Sequence, residues 1–157
     1  MSASYAVYKL KSHLAMQDPD MPSPRFHTVI FVETTAQGHG SGVKHHVTGD
    51  IVQGMHYESE ACHNPFESET LHSKELLGYT SASDYPTEFE NLLKTLPPPP
   101  KQKAFNTQTL KTEPVKSWNP LTFYEPGEAR APLRKCTEWT EQQAIPALQK
   151  AGLIVQK

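Results

Sequence analysis

Two cysteines, Cys62 and Cys136, and eight histidines carry most of the reactive chemistry in this 157-residue chain. Cys136 stands in "RKCTEWTEQQAIPALQKAGLI", residues 134–154, behind Arg134 and Lys135 and ahead of a segment that reads as helix. A thiol in the first turn of a helix faces the positive end of the macrodipole and unpaired backbone N–H groups, which favours thiolate over thiol. The two cations would add to that effect. The same N–H groups can receive the negative oxygen that develops when a carbonyl is attacked, so one location offers both a nucleophile and an oxyanion hole. The competing reading is a small, buried, inert thiol.

A nucleophilic thiol needs a base, and His27 is the candidate. It opens "HTVIFVET", a run apolar enough to be a central strand, where an imidazole is costly unless something pairs with it. A core histidine bonded to a backbone carbonyl is the alternative. His45 and His46 are adjacent and point to opposite faces of a strand, so only one of them can share a site with His27. Alternation groups His45 with Val43 and Val47, and His46 with Lys44 and Thr48, without deciding which is functional. A metal is weighed because His27, His39, His45, His46, His56, Cys62 and His63 crowd one half of the chain. No C-x-x-C, H-x-x-x-H or H-E-x-x-H spacing occurs, and neighbouring strand residues cannot easily share an ion, so no metal is expected. "GHGSG" lacks the spacing, helix and lysine of a phosphate loop and reads as a hairpin turn, so no cofactor is expected.

The elements that must position these groups follow from periodicity. "SYAVYKLKSHL" reads as a first strand, ended by the three prolines of "QDPDMPSPR". "FHTVIFVET", residues 26–34, puts Val29 and Phe31 on one face and Ile30 and Val32 on the other, the pattern of a strand covered on both sides. "VKHHVTGDI" and "GMHYESE" read as two further strands around a break at Gly49-Asp50, and residues 70–80 as a fourth element of the antiparallel meander. Phe89, Leu92, Leu93 and Leu96 recur at helical spacing behind Pro86. "PPPP" at 97–100 stops that helix, and 97–133 is expected to be an irregular segment wrapped on the surface, pinned by Trp118, Leu121, Phe123 and Tyr124. The last helix presents Trp139, Ala144, Ile145 and Leu148 and stops at Gly152. Thr140 and Gln143 form a T-x-x-Q capping box that could start it at 140 instead, and Pro146 would kink a helix that begins earlier.

Length bounds the chain to one domain, residues 1–157. With 15 basic and 17 acidic residues the net charge is −2, so no positive field recommends a nucleic-acid partner. No window approaches the roughly 18 apolar residues of a spanning helix, and the N-terminus lacks the apolar run of a secretion signal. A soluble, cytoplasmic protein with reduced thiols and no membrane partner is expected.

The order of these features, a histidine at the head of a central strand, a second on the next strand and much later a cysteine opening a helix, resembles the circularly permuted papain-like enzymes of the NlpC superfamily. Lecithin retinol acyltransferase and PPPDE-type peptidases are relatives of that kind. "FVET", "HHVTGDI", "GMHYES", "LPPPPKQ" and "KCTEWT" are more closely similar to a group of small fungal proteins. The resemblance implies an α+β, papain-like fold with an antiparallel sheet packed against helices. It makes Cys136 the nucleophile, His27 the base and His46, by its place before "VTGD", the third polar residue that orients His27. Lys135 stands where the acyltransferases carry asparagine, and no membrane anchor is expected, so a lipid-acyl substrate is not. The expected function is cysteine-dependent hydrolysis or transfer of an acyl group on a small-molecule or peptide amide, ester or thioester. The alternative is a non-catalytic small-molecule-binding or biosynthetic-pathway protein that keeps the scaffold, and residues 97–133 could also offer a protein-interaction face.

Overall fold

A computed structural model describes residues 3–156. Five antiparallel strands, β1 (Ser4–His13), β2 (Phe26–Glu33), β3 (Ser41–Asp50), β4 (Gly54–His63) and β5 (Leu71–Ser81), form a sheet in the order β4-β3-β2-β1-β5. β2 lies at its centre because it is the strand with apolar residues on both faces. Thr28, Val29, Ile30, Phe31 and Val32 are all buried. Ile30 and Val32 join Val7 and Val47 beneath the helices, whereas Val29 and Phe31 meet Leu10 on the opposite face, packed by Tyr8, Phe66 and Leu71. Burying each such side chain stabilises the sheet by about 1.5–3 kcal/mol, so a one-residue slip of β2 would forfeit both clusters. Beside it, Gly42 admits no side chain, because a Cβ there would lie 2.1 Å from the Val32 carbonyl oxygen.

The helical layer is built from α1 (Thr87–Thr95), whose Phe89 and Leu93 are fully buried, and from the C-terminal run. That run comprises α2 (Cys136–Glu138), a π-helical stretch (Trp139–Ala144) and α3 (Ile145–Lys150). Pro146 accounts for the widened middle. It has no N–H to give, and its ring would collide with the carbonyl four residues back in an α-helix. Widening to i→i−5, with the Ile145 N–H on the Thr140 carbonyl, accommodates the ring without a break. Trp139, Ala144 and Leu148 still reach the core, and Gly152, at φ +75°, ends the run as expected.

The segment 97–133 corrects the sequence reading. It contains a second antiparallel sheet, β6 (Lys103–Asn106), β7 (Lys111–Trp118) and β8 (Leu121–Phe123), in the order β6-β7-β8. These strands are largely solvated, with Phe105, Trp118 and Leu121 exposed, so no alternation of apolar and polar residues marks them in the sequence. The architecture is α+β with an antiparallel sheet against helices. Among the described residues no helix is long and apolar enough to cross a membrane.

Candidate functional site

The start of α2 is fastened to the start of β2. Cys136 is the first residue of α2, only 6% exposed, and its sulfur donates a long hydrogen bond of 3.8 Å to the Phe26 carbonyl oxygen. The Thr137 hydroxyl donates to the same oxygen at 3.3 Å and lies 2.7 Å from the Thr28 hydroxyl, and the Thr140 hydroxyl donates to the Thr28 carbonyl at 3.4 Å. Threonines that would weaken a free helix therefore seat this one on the strand.

Glu138 decides where the helix begins. Its carboxylate accepts the Lys135 backbone N–H at 2.8 Å, closing back over the first turn, and takes both guanidinium arms of Arg25 at 2.9 and 2.8 Å. A bidentate, partly buried fork of this kind outweighs the local T-x-x-Q signal at Thr140, so the helix starts at Cys136. Arg25 was not anticipated as part of the site. The Glu138 hydrogen bonds raise its pKa most, and Cys136 is among the groups whose negative form would favour its charge. Lys135, expected to act on the thiol, instead gives its ammonium to Asp18 at 2.8 Å.

The imidazoles separate into two sets. His27 Nε2 and His46 Nδ1 lie 3.0 Å apart, and their rings meet edge to face. Backbone pairing of β2 with β3 runs from Val32↔Val43 to Ile30↔His45, and just beyond it these two side chains bridge the strands. Burial, then the nearby His46 and Lys44, hold the His27 pKa down to about 4, and burial followed by Lys44 lowers that of His46. Both rings are neutral at pH 7. His45 is fully buried on the helix side, with its nitrogens 2.6 Å from the Tyr57 hydroxyl and 2.8 Å from that of Tyr85, a satisfied core histidine.

His27 thus pairs with His46 and not with His45. Cys136 belongs to the apolar cluster on the helix side, next to the carbonyl of the residue before His27, and among the described residues no hydrogen bond joins its sulfur to a ring nitrogen. His27 also lines a cavity of about 490 Å³ on the other face, together with Lys44, Cys62, Asn64 and Glu67. Cys62 is half-buried there, and burial raises its thiol pKa.

Residues 14–155 match the family described as "Family of unknown function (DUF6540)". No curated protein and no solved structure matches the chain.

Proposed function

We propose, for a chain that belongs to this family of unknown function, that Cys136 is the nucleophile of a permuted papain-like acyl hydrolase or acyltransferase, with His27 as base and His46 as its positioning residue. The observation that carries the reading is the 3.0 Å contact between His27 Nε2 and His46 Nδ1. When His27 donates Nε2–H to His46, its Nδ1 lone pair is open to accept a proton. The low His27 pKa keeps that lone pair free at neutral pH.

Cys136, on the helix side of the sheet, must leave the Phe26 carbonyl and reach the imidazole at the head of β2, whose ring lines the opposite face, and there give its proton to His27. The thiolate adds to the carbonyl carbon of a small-molecule or peptide amide, ester or thioester, and N–H groups of the first helical turn hold the oxyanion. Collapse of the adduct expels the leaving group, which takes the proton from His27. Water or an amine then attacks the acyl-enzyme, loses a proton to His27 and frees the thiol. No cofactor enters this scheme. Two free thiols suit the reducing conditions of the cytoplasm.

A second reading rests on the same burial. A sulfur 6% exposed and bonded to a backbone carbonyl, with the cavity that His27 lines on the opposite face of the sheet, suits a non-catalytic protein that binds a small molecule. Labelling with iodoacetamide at pH 7, read by peptide mass, separates the two. The catalytic reading expects Cys136 to react faster than Cys62, and turnover of ester, thioester and anilide substrates to vanish in Cys136→Ala and His27→Ala at unchanged circular dichroism. Equal, slow labelling of both thiols would leave the binding protein.

A further inference from the structure

β4 repeats an H-x-E-x-E pattern in His56, Glu58 and Glu60, and the period of a strand puts all of them on one face. It is the face of His46, which pairs directly with Glu58 across β3 and β4. One ring nitrogen of His46 and one carboxylate oxygen from each of Glu58 and Glu60 lie within 4.8 Å of one another. Since Nδ1 of His46 is engaged by His27, the nitrogen left for this group is Nε2. That atom is buried and has no hydrogen-bond partner, in a residue only 6% exposed. A buried polar atom without a partner is costly, so its persistence beside two carboxylates asks for a ligand that can use a lone pair.

We infer that His46 Nε2, Glu58 and Glu60 form a binding site for a borderline divalent cation of the zinc type. One imidazole nitrogen with two carboxylate oxygens is a zinc-compatible donor set, and the nitrogen disfavours magnesium and calcium, which prefer oxygen alone. Three protein ligands leave a fourth position for water. Bonds of about 2.0 Å around a tetrahedral ion bring ligand atoms to roughly 3.3 Å from one another, so the group must draw in. Both glutamate side chains are half exposed, which leaves them room to do so.

The neighbours supply the rest. In the tautomer in which His46 donates its Nδ1–H to His27 Nε2, the His46 lone pair is on Nε2, and His27 is then the usual outer support of a metal-bound histidine. Lys44 holds Glu60 at 2.9 Å, and His56 lies 3.3 Å from a Glu58 oxygen, so each carboxylate is tethered on this face and still has a second oxygen to offer. The Lys44 ammonium opposes a second cation, so the ion displaces it from Glu60 or binds the other oxygen.

The site is tested by direct metal titration of the intact chain, following Zn2+ by calorimetry and Co2+ by its visible bands. Wild type and a Cys62→Ser/Cys136→Ala variant are expected to bind one equivalent alike. Glu58→Gln and Glu60→Gln, exposed and conservative changes, should each weaken binding at least about 10-fold. No saturable zinc binding, wild-type affinity in both glutamine variants, loss of binding in the cysteine-free variant, or tighter binding of Mg2+ than Zn2+ would each overturn the assignment. Without either thiol, the titration stands apart from the fate of the cysteine mechanism.

Discussion

Arg25 grips both carboxylate oxygens of Glu138, so the residue two before His27 is tied to the residue two after Cys136. The fork is the one charged link between the head of the central strand and the head of the helix that carries the thiol among the described residues. Arg25→Ala leaves a carboxylate only 19% exposed without its partner, and a loss of about 2 kcal/mol is expected, read as a lower urea midpoint at unchanged slope. Arg25→Lys recovers only part of it, because an ammonium cannot span both oxygens. A midpoint unmoved by Arg25→Ala would show that the threonine contacts alone seat the helix.

His46→Phe keeps a ring in the same space and removes the partner of His27 Nε2. If His46 orients the base, alkylation of Cys136 slows on the order of 10-fold and its pH profile moves, while labelling of Cys62 keeps its rate and pH dependence. A parallel decline at both thiols would mean that the substitution had loosened the sheet.

Asp18 gives the clearest pH dependence. Burial pushes its carboxyl pKa up, but hydrogen bonds from Lys135, the Asp20 backbone and Lys103 together bring it from 3.8 down to about 2. The folded state holds this carboxylate ionised more strongly than the unfolded chain does, so its contribution is complete above pH 3.8 and is lost as pH falls through about 2. The difference corresponds to about 2 kcal/mol. Denaturation followed between pH 5 and pH 2 should lose that much more stability in wild type than in Asp18→Asn, and parallel curves would refute the assignment.

Much of the frame is legible in the residues. β2 declared itself by apolar side chains on both faces, α1 by Phe89 and Leu93, and the last helix by Trp139, Ala144 and Leu148, because burial leaves its period in the sequence. The β6-β7-β8 sheet leaves no such trace, since its strands are largely solvated and the positions they bury are Lys103, Asn106 and Pro114, not an apolar alternation. The helix start was misleading locally: the T-x-x-Q signal is real as a pattern, but the Arg25 fork, 113 residues away in the chain, prevails. His27 is readable as a strand histidine, but alternation leaves open whether His45 or His46 shares its site, and only the resemblance singles out His46; Glu58 and Glu60 carry no signal of their own beyond lying in a strand. The alternate spacing of "HYESE" puts both carboxylates on the face of His46, with Glu58 directly across from it and Glu60 across from Lys44.

The 3.0 Å gap between the two imidazoles has room for a single hydrogen. When it rides on His27, the outer nitrogen of that ring is vacant, as the proposed thiol chemistry requires. When it rides on His46, the vacancy moves to the other end of the couple, toward Glu58 and Glu60. The proposed thiol chemistry and the proposed metal site thus draw on opposite positions of one shared proton, so if both hold, bound zinc would disfavour the tautomer that leaves His27 free to act as base.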